Sequence, residues 1–125
     1  METTEVKMTE RWSSKKVEQL LVQLSHNGKS FPTTPSARRI KTKQYSYGYS
    51  TRGYFYIDGA YGGVKLAYVL PYSTGEENVT SGYVPSGQLA DRLMAMGTTG
   101  LAATYRNLEK RWKPIMKREF EEQSR

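Results

Sequence analysis

Six of the ten tyrosines lie between Tyr45 and Tyr61, directly behind the densest run of positive charge. That run is Arg38-Arg39-Ile40-Lys41-Thr42-Lys43, and Tyr45, Tyr47, Tyr49, Arg52, Tyr54, Phe55, Tyr56 and Tyr61 follow it. Cationic groups neutralise phosphates and aromatic faces stack on bases, so one strip carrying both would hold a nucleotide-bearing ligand. The phosphate contacts expected are Arg38, Arg39, Lys41, Lys43 and Arg52, and the stacking rings are Tyr45, Tyr47, Tyr49, Tyr54 and Tyr56. Arg106 and Lys110, with Arg111 and Lys113, would extend the positive track along the last helix. A plainer role competes: tyrosine is a good strand former, and a half-buried strand often carries several. Exposure of the ring face decides between the two.

Other chemistry has few residues to work with. His26 is the single histidine and there is no cysteine, so neither a Ser-His-Asp set, a Cys-His set nor a His/Cys metal cluster can be assembled. His26 stands beside a helix-ending Asn27-Gly28 and reads as a capping or solvent residue. Glu76-Glu77 reads as a loop pair, and Glu119, Glu121 and Glu122 as a solvated terminal run. Gly48, Gly53, Gly59, Gly62 and Gly63 do not reproduce a phosphate-loop spacing and are read as strand turns. The expectation is a binder without catalytic residues, metal or cofactor.

The bulk properties agree with a binder. A chain of 125 residues is expected to make a single domain, with 1–8 and 121–125 frayed. The net charge of +7 is uneven. Residues 31–70 hold six Lys/Arg against Asp58 alone, and residues 101–125 hold seven against four acids. Such concentration favours nucleic acid, a phosphorylated small molecule or an acidic protein partner. No apolar run reaches the ~20 residues that span a bilayer, and the polar start carries no secretory signal. A cytoplasmic protein with no membrane partner is expected, and the sequon Asn78-Val79-Thr80 is then incidental.

The elements that must position these residues follow from periodicity. Val17, Leu20, Leu21 and Leu24 predict a helix over 9–25, capped by Thr9 and stopped at Asn27-Gly28. Pro32 and Pro35 make 29–37 a linker. Alternation predicts strands at 44–50, 54–57 and 64–70, joined by short glycine turns into an antiparallel meander. Residues 71–82 read as a flexible loop, and Tyr83-Val84 as a short fourth strand. Ser86 then caps a helix over 87–96 that Gly97 ends. A longer helix opens at Thr98 or Thr99, and Pro114 should kink or break it. The expected fold is α+β: an N-terminal helix, a meander of three to four strands, and two C-terminal helices packed on one sheet face.

Two fragments resemble known motifs in part. Arg52-Gly53-Tyr54-Phe55-Tyr56-Ile57 resembles the RNA-recognition-motif strand, but Phe55 stands where a small residue belongs and the element order differs. It is read as convergence on an aromatic strand. Gln88 to Leu108 resembles a helix-turn-helix, yet Met94 replaces the usual glycine and the turn is too long. A plain helical hairpin fits better.

Nucleic acid, single-stranded DNA or RNA before a duplex groove, is therefore the leading ligand class. The same residues would also suit sequestration of a small or cyclic nucleotide between subunits of a homo-oligomer. Tyr83 and Arg92 would complete that pocket, in the stoichiometric manner of anti-defence proteins from phages and other mobile elements. A third use is inhibition of, or adaptation to, an acidic protein surface, since tyrosine and arginine are favoured interface anchors.

Overall fold

The structure, a computed structural model, describes residues 11–36, 39–40 and 49–123, with the backbone alone at 39–40. It is a mixed α+β arrangement built on an antiparallel three-stranded sheet. Helix α1 runs Ser14–Leu24 and helix α2 runs Ser86–Gln123. Strands are β1 (Arg39–Ile40), β2 (Tyr49–Ser50), β3 (Tyr54–Ala60), β4 (Gly63–Val69) and β5 (Glu76–Asn78). No helix among the described residues is long and apolar enough to cross a membrane.

Helix α1 starts later than Thr9, which lies outside the described residues. The Ser13 hydroxyl accepts the Lys16 amide at 3.2 Å, so Ser13 is the cap. Its end is built as the sequence predicts. His26, Asn27 and Gly28 all take positive φ, and the buried Ser25 hydroxyl accepts the Gly28 amide at 2.9 Å. Val17 and Leu21 are the buried face.

The meander is displaced by one strand from the expected one. Tyr49–Ser50 pairs with Arg39–Ile40 in a separate two-stranded ribbon and does not pair with β3. Residues 41–48, between those strands, lie outside the described residues. The main sheet has the order β3-β4-β5. β3 and β4 form a tight hairpin with Ala60 opposite Gly63. Its two loop residues, Tyr61 and Gly62, have φ of 53° and 72°, the twist a two-residue hairpin turn requires.

The expected loop at 71–82 is partly strand. Glu76–Asn78 pairs antiparallel with Val69–Ala67. The Val79 amide then reaches the Leu66 carbonyl at 2.9 Å, and Val64 and Val84 exchange bonds at 2.8 and 2.9 Å. The chain from 76 to 84 thus follows one edge of β4, and Tyr83-Val84 contributes a single bridge where a fourth strand was expected. The backbone groups along β4 supply the reason, because buried donors and acceptors need partners.

Side-chain alternation separates two sheet faces. Phe55, Ile57, Val64, Leu66 and Tyr68 are buried with Val17, Leu21, Phe31, Leu89, Leu93, Leu101 and Leu108 in one core. That face meets α1 and α2. At roughly 25 cal/mol per Å², each fully buried Leu or Phe side chain stabilises by about 1.5–3 kcal/mol.

Helix α2 changes direction at Gly97, whose φ of 66° and ψ of 179° are not helical. The helix resumes at once, so 88–108 has no helix-turn-helix turn. The Thr98 hydroxyl donates to the Leu24 carbonyl at 2.6 Å and ties the break to the end of α1. Pro114 does not end the helix, which continues to Gln123. Pro114 is solvent-exposed, so the carbonyl it leaves without a donor faces water. The last turn of the helix reaches Gln123. Phe120 packs there against Tyr49 and Tyr72, with ring centroids 5.7 and 5.4 Å away.

Candidate functional site

The exposed flank of α2 gathers the described cations most densely. Between Thr98 and Arg118 the sequence holds Arg106, Lys110, Arg111, Lys113, Lys117 and Arg118, and Glu109 is the single acid. All six cations are exposed. Arg106, Lys110, Lys113 and Lys117 recur at i, i+4, i+7 and i+11, which places them on one side of a helix across about 16 Å of axis. Arg111 lies off that stripe and pairs with Glu77 at 3.3 Å, while Glu77 accepts Trp112 Nε1–H at 2.8 Å.

Glu109 is withdrawn from this field by specific partners. Its Oε1 accepts the Gly53 amide at 2.7 Å and also accepts the Tyr68 hydroxyl. Tyr105 donates its hydroxyl to the Gly53 carbonyl at 2.9 Å. Gly53 is therefore held through both backbone groups, and only glycine fits: a Cβ there would lie 2.2 Å from the Tyr68 hydroxyl. Burial, then the bond to Glu109, pushes the Tyr68 phenol far above its ordinary range. Burial, then the Glu109 charge, raises Tyr105 as well, and the Arg52 charge opposes that rise.

These contacts place the 49–53 segment beside the basic stripe. Arg106, Glu109 and Lys113 share a helix side at i, i+3 and i+7, and Phe120 follows Lys113 by seven more residues. Glu109 touches Gly53, and Phe120 touches Tyr49 and Tyr72. Ser50 fixes the base of the β1–β2 ribbon: its hydroxyl accepts the Ser36 amide at 2.9 Å and donates to the Arg52 carbonyl at 2.7 Å. The Ser50 carbonyl accepts the Tyr72 amide at 2.7 Å. Arg52 and Tyr49 are half-buried.

The remaining expected residues are distributed as follows. Arg38, Lys41, Lys43, Tyr45 and Tyr47 lie outside the described residues, and Arg39 is placed by its backbone opposite Ser50. Tyr54 and Tyr56 stand on the sheet face turned away from the helices, half-buried. That face is of mixed charge. Tyr56 donates its hydroxyl to Glu76, and burial followed by that bond raises its pKa far above the ordinary value. Tyr83 donates to Asp58 at 2.7 Å, a bond that raises its pKa, and Lys65 Nζ lies 4.6 Å over the Tyr83 ring and 3.8 Å from Asp58. Tyr54 and Tyr56 therefore stand on the sheet face opposite the one that carries the buried Phe55 and Ile57. Tyr83 and Arg92 are both half-buried.

Sequence reasoning missed Lys117, Tyr72 and Phe120. The i+4 step from Lys113 was the available signal for Lys117, and nothing in the sequence joined Tyr72 to Phe120. A cavity of about 210 Å³ is lined by Glu18, Leu21, Val22, Thr33, Thr34, Tyr56 and Ile57. It is smaller than the ~300 Å³ at which small-molecule sites begin, and its one charged side chain is acidic. No group of three or more His, Cys, Asp or Glu among the described residues has metal-ligand geometry. Comparison with protein-family models, curated proteins and solved structures gave no match.

Proposed function

We propose that this protein is a non-enzymatic binder of nucleic acid that engages the phosphate backbone with the basic flank of α2. The supporting observation is the exposed series Arg106, Lys110, Lys113 and Lys117, whose neighbouring acid, Glu109, is turned inward onto Gly53 and Tyr68. Cations spaced along a rigid helix bind a polyanion by releasing its counterions, which is a sequence-independent attraction. Tyr49 and Tyr72 at the far end of the stripe offer aromatic surface to unstacked bases, so a single strand is the favoured ligand. The mixed-charge sheet face bearing Tyr54 and Tyr56 is left to a secondary role. A cytoplasmic setting supplies such ligands.

Fluorescence anisotropy of a labelled 20-nucleotide single strand tests this reading. Four phosphate contacts at about −0.7 each predict that log K falls with log salt with a slope near −3. A slope near zero, or no binding at low salt, would remove the proposal.

A further inference from the structure

Strand β3 lies at the edge of the main sheet, with β4 on one side only. The hairpin that Ala60 and Gly63 close sets the phase of its bonds, because bonded and non-bonded pairs alternate along an antiparallel ladder. Ala60, Asp58, Tyr56 and Tyr54 exchange bonds with β4, so Phe55, Ile57 and Gly59 turn their N–H and C=O groups to the open edge. Phe55 shows that phase directly: its amide donates outward to the Pro32 carbonyl at 3.0 Å. Ile57 and Gly59 have no such partner among the described residues. No proline, lysine or bulge interrupts β3, and these are the devices that commonly keep an edge from pairing.

The cavity of about 210 Å³ lies along this same edge. It touches both Tyr56 and Ile57, whose side chains point to opposite faces of the sheet, and β4 fills the other edge of the strand. Leu21 and Val22 of α1 and Thr33 also line it, and Glu18 is its one charged group. Glu18 is exposed and has no ion-pair partner among the described residues.

We propose that the β3 edge at Ile57 and Gly59 takes up an extended segment of a partner polypeptide as a further strand, with an apolar side chain in the adjoining cavity and a basic side chain beside Glu18. The backbone groups of Ile57 and Gly59 hold the segment whatever its sequence, while the cavity and Glu18 select it, as in strand addition generally. A second copy of this chain fits the edge poorly. The antiparallel register that uses both residues of both copies sets Asp58 directly opposite Asp58 of the other copy, and like charges so placed repel. This surface shares no residue with the basic flank of α2 and does not depend on nucleic-acid binding.

The test is ¹⁵N NMR of the full chain titrated with two end-blocked peptides, Thr-Val-Lys-Val-Thr and Thr-Val-Glu-Val-Thr. The lysine peptide should move the Ile57 and Gly59 amide resonances saturably and slow their hydrogen exchange. The glutamate peptide should bind roughly threefold to tenfold more weakly, and Glu18→Lys should reverse that preference. Gly59→Pro removes one outward donor and obstructs the added strand, yet takes no bond from β4, so peptide binding should fall by about tenfold or more. Ile57 and Gly59 amides that neither peptide moves, or a Gly59→Pro variant that binds like the parent, overturn the edge site. A preference that Glu18→Lys leaves unchanged overturns the selection of a basic segment. Protection of the two amides that rises with protein concentration alone would give the edge to a second copy and overturn the partner reading.

Discussion

Glu109 accepts the Gly53 amide and the Tyr68 hydroxyl at the same oxygen, so one carboxylate joins α2, β4 and the entry to β3. The Tyr68 phenol is held neutral by burial and by that carboxylate, with its pKa raised well above the unfolded value of about 10. As pH rises past ~10 the unfolded phenol loses its proton first, which favours the unfolded chain. Stability should therefore be level on this account up to about pH 10. Above it, Tyr68 alone should remove up to about 1.4 kcal/mol per pH unit. Tyr68→Phe should cost about 1–3 kcal/mol at neutral pH and make the alkaline decline shallower, read by urea melts from pH 7 to 11. Equal alkaline slopes in the two proteins would contradict the assignment. The sequence made Gly53 a turn residue, but not one that a tyrosine ring closes over. Nothing in the sequence singled out Glu109, because its partners are 56 and 41 residues away in the chain.

Helix α2 owes its change of direction to Gly97, whose conformation is open essentially to glycine alone. A Cβ at that position meets nothing within 4 Å, so the cost of Gly97→Ala is one of backbone and not of packing. The substitution should destabilise by about 1–3 kcal/mol in thermal melts, with little loss of helical circular dichroism, since an uninterrupted helix would pull Thr98 from Leu24. An unchanged or raised melting temperature would show that the break contributes nothing. Gly97, Asn27-Gly28 and the β3–β4 hairpin were legible because each needs a special backbone angle that the residue type announces. β5 was not legible: Glu76-Glu77-Asn78 has neither alternation nor strand propensity. It is a strand because β4 offers it an edge and because Trp112 and Arg111 hold Glu77. Pro114 does not break the helix, since its missing donor matters little on an exposed helix side.

On the scale of the whole molecule, the sheet separates two surfaces that adjacency in sequence had merged. Tyr54 and Tyr56 belong to a face where phenols donate to Glu76 and, beside them, Asp58 accepts Tyr83. The basic stripe belongs to α2 on the other side, with Arg52 and Tyr49 brought to it by the Gly53 clamp and the Phe120 contact. The concentration of charge in the last 25 residues was visible from the sequence, as was the suitability of arginine with tyrosine for a phosphate ligand. Which tyrosine meets which cation depends on the path of the ribbon, and strand periodicity carries no information about that. The most direct test compares two charge-reversed pairs of equal net charge in the same anisotropy assay. Lys110→Glu with Lys117→Glu alters the stripe, and Lys15→Glu with Lys29→Glu alters exposed positions in and after α1. The account predicts that the first pair abolishes single-strand binding at moderate salt while the second leaves most of it. Equal losses from both pairs would mean that net charge alone attracts the strand, and would contradict a binding surface on α2.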